Sequence, residues 1–334
     1  GSGLAVLRDT SSIFTLATSK NLSQGAVTNT PEGAVSALDV SGNALFAAFA
    51  TSGENITKGN GLIYSDNSTG KTISWTYFDQ LVDTEADSLT PFAKRFFRGL
   101  PVTVKEANVT YDAAINGSNI YITSWAGGLR RYNILTKIWQ RVPLPQDGDH
   151  ILNTCDESSY ISTTSGSILR DFYLNPRDPE DGGNHNHKAF SVISYADTVW
   201  VGTANGINRG LVGANGCINW KHYTPLNNGL SGGFVVDLAL QQYKKHNIIW
   251  AATVLAETGE SNGVSYSIDG GDTWNTTLIG ERAYNITASD SIVLVATKSG
   301  LWKTIIDDPA DKGIPWAKYK SAKQLIEIGS TGTY

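Results

Sequence analysis

The sequence predicts an all-β protein, and three observations lead to that prediction. Its 334 residues include 34 Gly, 14 Tyr, 10 Phe and 9 Trp, a composition typical of short strands joined by tight turns. Scarcely any segment shows the hydrophobic periodicity of a helix. A pattern of strand-forming residues with a Gly and a later Trp recurs along the chain, which predicts a repeated sheet.

Composition and charge exclude several classes of protein. The hydrophobic share of 40% against 17% charged residues is enough for a large core and excludes a disordered chain. The net charge of −5 does not predict nucleic acid as a partner. A run of about 18 apolar residues is absent from the sequence, so we expect no direct membrane insertion. No linker divides the chain, which predicts a single domain over residues 1–334.

The repeat consists of an apolar run, small or hydroxyl residues, a Gly, a second apolar residue and a later Trp. The apolar run predicts a strand buried on both faces, and the Gly predicts a turn with positive φ or close backbone approach. The following strand alternates, and the Trp is expected to pack between neighbouring sheets. The Gly and Trp pairs are Gly61 and Trp75, Gly128 and Trp139, Gly206 and Trp220, Gly263 and Trp274, and Gly300 and Trp316.

The spacing of these units predicts a β-propeller. A sixth copy at Gly166 lacks the Trp, and several anchor glycines are about 40 residues apart, as in four-stranded propeller blades. Strand-like segments at residues 4–8, 13–17 and 324–328 flank the repeats. We therefore predict seven four-stranded blades, the last closed by N- and C-terminal strands, with six and eight blades left open.

Two stretches interrupt the pattern. Residues 79–105 are expected to lengthen one connection, and residues 175–187 are rich in turn-forming residues. Long connections on a rigid scaffold are where binding usually resides.

One segment matches the Asp-box pattern Ser-x-Asp-x-Gly-x-Thr-Trp. Its aspartate is expected to accept backbone N–H groups across a turn, and its Trp to be buried between blades. The motif is therefore predicted to be structural. Its residues are Ser267, Asp269, Gly271, Thr273 and Trp274.

The chain thereby resembles the Asp-box (BNR) repeat found in sialidases, sortilin-type receptors and photosystem assembly factors. It also resembles the propeller repeat of two-component regulators, through the segments Asn228-Gly-Leu-Ser-Gly-Gly-Phe-Val and Val199-Trp-Val-Gly-Thr-Ala-Asn-Gly. It is similar as well to exported bacterial surface propellers. These resemblances imply a propeller fold, and together with low charge and seven N-glycosylation sequons they favour a secreted or cell-surface protein.

Asp112 and Asp237 are the candidate catalytic residues. Each lies at a corresponding place in an apolar innermost strand, where a carboxylate needs a partner or faces the central channel. A glycosidase needs two such groups about 5.5 or 6.5–9.5 Å apart. Structural pairing is the favoured interpretation, and a ring of acceptors that holds water or a structural cation such as calcium is an alternative. No cofactor and no metal site are predicted.

The candidate binding residues are Trp125, Arg130, His185 and His187. Trp125 falls near a strand end, where its indole could stack on a sugar or a protein. Arg130 and Arg131 occupy alternating faces of one strand, so we expect one to be exposed and the other stacked on an aromatic ring. In an extended segment the two histidines would lie on one side, but two ligands do not make a metal site.

The absence of a catalytic motif in the sequence favours a non-catalytic, exported module that binds a surface polymer, a glycan or a protein. Two alternatives stay open: a carbohydrate-active hydrolase that uses channel carboxylates, and a structural subunit of a surface assembly. Cys155 and Cys217 are too few for a disulfide scaffold, and either one bridge or two free thiols is consistent with the sequence.

Overall fold

The structure is a computed structural model, and it describes residues 4–7, 14–17, 24–27, 30–54, 56–68, 73–307 and 314–319. These residues are mostly strands and turns, with one short helix, α1 (Pro225–Asn228). Four 3₁₀ turns cover Glu106–Asn108, Glu157–Ser159, Pro179–Asp181 and His185–His187.

In chain order the strands are β1 (Leu4–Leu7), β2 (Phe14–Ala17), β3 (Gly25–Val27), β4 (Ala34–Ser41), β5 (Ala44–Ser52), β6 (Thr57–Ser65), β7 (Trp75–Phe78), β8 (Leu89–Phe92), β9 (Arg95–Gly99), β10 (Thr110–Asn116), β11 (Asn119–Ser124), β12 (Gly128–Asn133), β13 (Ile138–Val142), β14 (Ile151–Asn153), β15 (Tyr160–Thr163), β16 (Gly166–Leu174), β17 (Ala189–Tyr195), β18 (Thr198–Thr203), β19 (Gly206–Val212), β20 (Ile218–Tyr223), β21 (Phe234–Tyr243), β22 (His246–Val254), β23 (Gly263–Ser267), β24 (Asn275–Thr277), β25 (Ala283–Ser289), β26 (Ile292–Thr297), β27 (Gly300–Ile305) and β28 (Ala317–Lys318).

Most of the sheets are meanders in which each strand pairs with the next one along the chain. Strands β10–β13, β21–β24 and β25–β28 form four-stranded sheets of this kind. Two further sheets follow the order β3-β7-β6-β5-β4 and β14-β20-β19-β18-β17, so each is a meander with one added edge strand. This is the strand order of propeller blades, and the predicted all-β, propeller-type fold is confirmed. The number of blades and the closure of a ring remain predictions.

The tertiary contacts divide the chain into two units, which we describe separately. Unit 1 holds residues 1–201 and 210–221, and unit 2 holds residues 202–209 and 222–334. In unit 1 the first strands β4, β10 and β17 lie beside one another, and in unit 2 β21 lies beside β25. Such contact between first strands is expected of innermost propeller strands. The single domain predicted from the sequence stays a prediction.

Only part of the packing predicted for the repeat is present. Trp75 and Trp220 are buried, as predicted, whereas Trp139, Trp274 and Trp316 are only partly buried. Gly61 has a φ of 101°, and a Cβ there would lie 2.5 Å from the Tyr77 ring. The side chains of Trp220 and Trp250 are fully buried. In unit 2 the Trp250 ring stacks on Tyr266 with centroids 4.9 Å apart.

One sheet departs from the predicted pattern. Its order is β15-β16-β9-β8, and β16 pairs with β9 in parallel. Residues 79–105 lengthen the connection between β7 and β10, as the sequence predicts, but they contain an unpredicted hairpin, β8–β9. The segment at Gly166, predicted to be a separate blade without a Trp, joins this hairpin in one mixed sheet. The physical reason is a shared core, in which the rings of Phe97 and Phe172 meet edge to face at 5.8 Å.

A bulge near the start of a first strand recurs and determines which side chains face outward. The register shifts between Thr110 and Asp112 in β10, and between Val235 and Asp237 in β21. A bulge leaves one residue outside the regular pairing. Here that residue is Tyr111 in β10 and Val236 in β21.

Candidate functional site

The carboxylates of Asp112 and Asp237 are both engaged with backbone N–H groups. In unit 1 Asp112 Oδ1 accepts the N–H of Ala113 at 2.8 Å, and Oδ2 accepts the N–H of Val192 in β17 at 2.8 Å. In unit 2 Asp237 Oδ1 accepts the N–H of Leu238 at 2.9 Å, and Oδ2 accepts the N–H of Ile286 in β25 at 2.7 Å. Each aspartate therefore connects its own first strand to the neighbouring first strand.

Asp39 in β4 makes a similar connection, which the sequence analysis did not identify. Its Oδ2 accepts the N–H of Ile115 in β10 at 2.6 Å. Burial raises the pKa of Asp39, and it raises the pKa of Asp237 to about 6, although hydrogen bonds from backbone N–H groups oppose the shift in both. The available signal was an aspartate inside an apolar strand, as in Asp112 and Asp237.

Arg130 lies in a buried ionic cluster rather than at a surface. Its Nη2 donates to Asp83 Oδ1 at 2.7 Å, and Nη1 of Arg141 donates to Asp83 Oδ2 at 2.9 Å. Burial alone would raise the pKa of Asp83, but the two guanidinium groups outweigh it and hold that pKa below its usual value. Burial also lowers the pKa of Arg141 to about 10, and the neighbouring Arg130 adds to the shift.

Arg131 points to the other face of β12, as strand geometry requires. It lies over the Phe92 ring at 5.3 Å and donates to the carbonyl of Gly216 at 2.9 Å. The predicted stacking on an aromatic ring is present. The expectation that one of the two arginines is exposed is wrong, because Arg130 and Arg131 are both buried and both find partners inside the protein.

The histidine pair lies on a 3₁₀ turn instead of an extended segment. His187 is 1% exposed; its Nδ1 accepts the N–H of Asn175 at 2.9 Å, and its Nε2 lies 3.1 Å from the carbonyl of Leu144. Burial lowers the pKa of His187 to about 4. His185 instead pairs with Asp178 at 3.2 Å. In the part of the chain that the structure describes, His, Cys, Asp and Glu side chains form no group of three or more suited to a metal ion.

Trp125 belongs to a partly exposed cluster of aromatic rings in unit 1, which we call the aromatic platform: Tyr111, Trp125 and Phe190. The Phe190 ring lies 5.7 Å from Tyr111 and 5.5 Å from Trp125. Tyr111 is 42% exposed and Trp125 40% exposed. Aromatic rings held against one another in this way present fixed surfaces for stacking.

A chain of three polar side chains adjoins the aromatic platform through Lys188. Lys188 Nζ lies 5.2 Å from the centroid of the Trp125 ring and donates a hydrogen bond to Asp178. Asp178 in turn pairs with His185. The hydrogen bond from Lys188, with a smaller contribution from His185, lowers the pKa of the exposed Asp178 carboxyl. The structure thus places Trp125 and His185 in one neighbourhood, whereas Arg130 and His187 are buried.

The strand geometry explains how the platform forms. Tyr111 is the bulged residue of β10, and Phe190 lies two residues before Val192, whose N–H binds Asp112. Trp125 follows the last residue of β11. Sequence reasoning missed Tyr111 and Phe190. The two residues become neighbours because the hydrogen bond from Val192 to Asp112 holds β17 beside β10, and the sequence does not show that pairing.

Unit 2 has a cavity whose lining includes residues at strand positions equivalent to those of the aromatic platform in unit 1. Tyr284 lies two residues before Ile286, whose N–H binds Asp237, so it corresponds to Phe190. The guanidinium of Arg282 lies 6.0 Å from the centroid of the Tyr284 ring. The cavity has a volume of about 280 Å³ and is lined by Phe234, Val236, Val254, Leu255, Arg282 and Tyr284.

The Asp-box segment forms a tight turn between β23 and β24. Asp269 accepts the backbone N–H of Thr273 at 2.9 Å and hydroxyl hydrogen bonds from Thr273 and Ser267. The N–H of Gly271 donates to Ser267 Oγ at 2.8 Å. The prediction that Trp274 is buried is wrong, because its ring is only partly buried and lies at 5.8 Å from Tyr223. These contacts lie within the turn and its immediate neighbours, which is how a structural motif is expected to behave.

Comparison with known proteins finds similarity only among solved structures. No family model matches the sequence, and no curated protein matches it. The extracellular domain of a protein described as a one component system from B. thetaiotaomicron is 13% identical, with a TM-score of 0.46; the match covers 97% of this chain and 33% of that one. YCF48 from Cyanidioschyzon merolae is 14% identical, with a TM-score of 0.47, and the match covers 88% of this chain and 75% of YCF48. An ancestral GH74 enzyme is 10% identical, with a TM-score of 0.47, and the match covers 86% of this chain and 37% of the enzyme.

The chain thus spans about a third of the length of the B. thetaiotaomicron protein. At such identities the likeness concerns the fold alone, and we draw no function from it. The helices within the described ranges are all too short to cross a membrane.

Proposed function

We propose that the protein is a non-catalytic, extracellular propeller-type module that binds a carbohydrate polymer on the aromatic platform. The observation that carries this proposal is the pair of partly exposed rings, Tyr111 and Trp125, both packed against Phe190. Aromatic faces stack on the apolar faces of sugar rings, and rigid aromatic side chains do so with little loss of conformational entropy.

The polar surroundings of the platform suit the same class of ligand. The buried Lys188 links Trp125 to Asp178, and Asp178 and His185 present a carboxylate and an imidazole on that side of the platform. Sugar hydroxyls both donate and accept hydrogen bonds, so such a mixed set can orient them. A protein interface typically buries about 800 Å² on each partner, which is more than three partly buried rings provide, so the carbohydrate is the better match.

The carboxylates support a binding role over hydrolysis. Glycosidases need one carboxyl group as an acid and another as a nucleophile or base. Asp112 and Asp237, the two candidates for that chemistry, each use both oxygens to bind backbone N–H groups. Those hydrogen bonds would have to break before either group could reach a glycosidic bond.

The proposal is tested with a panel of labelled oligosaccharides and soluble polysaccharides, with binding and turnover measured on the same samples. We expect binding without cleavage, and we expect Trp125→Ala to weaken it about tenfold or more, as loss of a central aromatic contact usually does. Tyr195→Ala is the matched control, because Tyr195 is an exposed aromatic residue (44%) at the far end of β17 from Phe190.

Two results would contradict the proposal. Equal binding by wild type and the Trp125→Ala variant would show that the aromatic platform is not the binding site. Cleavage that is lost in an Asp237→Asn variant would show the hydrolase alternative to be correct.

A further inference from the structure

The two cysteines of the chain lie opposite each other at one end of a strand pair in unit 1. Strand β14 pairs with β20, with Asn153 facing Asn219. The pairing continues one residue further, because the N–H of Thr154 donates to the carbonyl of Ile218 at 3.1 Å. The next residues along the two segments are Cys155 and Cys217.

The hydroxyl of Thr154 fixes this register. It accepts the N–H of Ile218 at 2.6 Å and also lies within hydrogen-bonding distance of the Ile218 carbonyl. In an antiparallel ladder the residues after a hydrogen-bonded pair form a non-hydrogen-bonded pair with Cα atoms about 4.5 Å apart. If Cys155 and Cys217 continue this register beyond the ends of β14 and β20, their Cα separation falls within the range of about 4.4–6.8 Å that disulfides span.

The two thiols are neighbours, because Cys217 is one of the groups that raise the pKa of Cys155. Gly213 lies beside both cysteines, since a Cβ built on it would be 3.6 Å from Cys155 Sγ and 3.7 Å from the Cys217 carbonyl. Both thiols are free in the structure, with Cys155 partly exposed and Cys217 1% exposed.

We propose that Cys155 and Cys217 are a site of reversible oxidation, at which a small-molecule disulfide such as oxidised glutathione converts the two thiols into an intramolecular disulfide. Cys155 reacts first because it is the accessible thiol. Its thiolate attacks one sulfur of oxidised glutathione, an S–S bond forms to Cys155, and the other glutathione leaves as a thiolate.

The second step closes the bridge. Cys217, as a thiolate, attacks the Cys155 sulfur of the mixed disulfide and expels the second glutathione thiolate. In total, two protein thiols lose two electrons and two protons. The oxidised glutathione gains both electrons and becomes two glutathione thiols, so the step is balanced.

The surroundings of Cys155 make the exchange dependent on pH. Burial raises the pKa of Cys155 to about 11, and the hydrogen bond with Cys217 adds to that shift. Because the thiolate is the nucleophile, we expect the rate to rise between pH 7 and pH 9.

Intact-protein mass measurement tests the bridge directly. Wild-type protein is incubated with oxidised glutathione, denatured, and treated with N-ethylmaleimide, which adds only to free thiols. On the intact protein we expect no N-ethylmaleimide adduct, and after digestion without reductant we expect one cross-linked pair of peptides that contains residues 155 and 217. Protein kept with a reductant should take up two molecules of N-ethylmaleimide. Two adducts on the glutathione-treated protein, or cross-links between separate chains, would overturn the proposal.

Single variants test the order of reaction. In Cys217→Ser the mixed disulfide between glutathione and Cys155 should accumulate, since no second thiol can resolve it. In folded Cys155→Ser, adduct formation on the buried Cys217 should be at least tenfold slower, as its exposure predicts. Equal rates in the two variants would contradict the assigned order, and circular dichroism spectra confirm that both variants are folded.

A melting experiment reports what the bond does. A disulfide that closes a loop of about 60 residues restricts the unfolded chain, so the oxidised wild type should melt above the reduced form by roughly 5 °C or more. The double variant with serine at both positions should show no such difference. These measurements do not depend on the carbohydrate proposal, so either one can fail without the other.

Discussion

At the scale of single residues, two buried aspartates differ in how their surroundings shift their pKa values. Asp83 lies between Arg130 and Arg141, and their positive charges favour its ionised form. Among the described residues, the partners of Asp237 are backbone N–H groups, so the cost of burial prevails and its pKa rises to about 6. The two carboxylates should therefore give the stability of the protein opposite dependences on pH.

The first prediction concerns Asp83. Its folded pKa lies below its unfolded value of about 3.9, so its contribution is complete above about pH 4 and is lost as the pH falls through the folded pKa. Asp83→Asn should destabilise the protein by about 3–5 kcal/mol, because it leaves two buried guanidinium groups without a counter-ion. Urea unfolding between pH 2.5 and pH 7 measures both effects.

The matched control for Asp83 is Glu85→Gln, an exposed acid two residues further along the chain. It should change the free energy of unfolding by less than about 0.5 kcal/mol. A loss in Asp83→Asn as small as that of the control would contradict the role assigned to the ionic cluster.

The second prediction concerns Asp237. Its folded pKa of about 6 lies above the unfolded value of about 3.9. Its favourable contribution is therefore fully present below about pH 4 and is lost as the pH rises to about 6, with a total on the order of 3 kcal/mol. Urea titrations at pH 4, 5, 6 and 7 should show this slope in the wild type and a flatter profile in Asp237→Asn. The same slope in both proteins would assign it to other groups.

At the scale of elements, the aspartates act as connections between neighbouring first strands. Asp39 joins β4 to β10, Asp112 joins β10 to β17, and Asp237 joins β21 to β25. The bulge beside Asp112 places Tyr111 on the platform. The same local structure thus holds the strands together and exposes the ring.

The third prediction follows from this connection. Asp112→Ala removes the acceptor for the N–H groups of Ala113 and Val192, and a buried N–H without a partner costs about 1–3 kcal/mol. We expect a loss of that size in chemical denaturation, together with faster amide hydrogen exchange at Val192. Asp66→Ala, at an exposed aspartate, is the control, and unchanged exchange at Val192 would refute the connection.

The sequence predicted individual hairpins better than it predicted which strands and side chains pair across long distances in the chain. Gly-and-Trp spacing located the hairpins because each depends on residues close together in the chain. The ionic cluster joins residues 47 and 58 positions apart, and the mixed sheet joins β9 to β16 in parallel. Such pairings depend on which strands become neighbours in space, and neither periodicity nor composition carries that information.

The candidate site shows the same limit. Trp125 was identifiable because an aromatic residue follows a strand and precedes two glycines. Its neighbour Phe190 lies in a different sheet, so only the lateral contact between β10 and β17 brings it to Tyr111. His185 and His187 were predicted to lie on one side because an extended chain was assumed. The residues instead form a 3₁₀ turn, so that spacing does not apply.

At the scale of the whole molecule, the open question is whether the terminal strands complete a blade. Strands β1 and β2 form a two-stranded sheet among the described residues, and Leu4 packs in one cluster with Phe49 and Ile63. An isolated two-stranded hairpin is only marginally stable in water. The C-terminal segment predicted to pair with it, residues 324–328, lies outside the described residues.

The fourth prediction tests this closure by deletion. If residues 324–328 supply a strand to the terminal blade, removing residues 320–334 exposes an unpaired edge and leaves the β1–β2 hairpin without its partner. The melting temperature should then fall by several degrees, and amide exchange in Leu4–Leu7 should accelerate. A shorter deletion of residues 329–334 keeps the predicted strand and should leave both quantities unchanged. Unchanged exchange in Leu4–Leu7 after the longer deletion would mean that the termini do not close a blade together, and the prediction of seven blades would then fail.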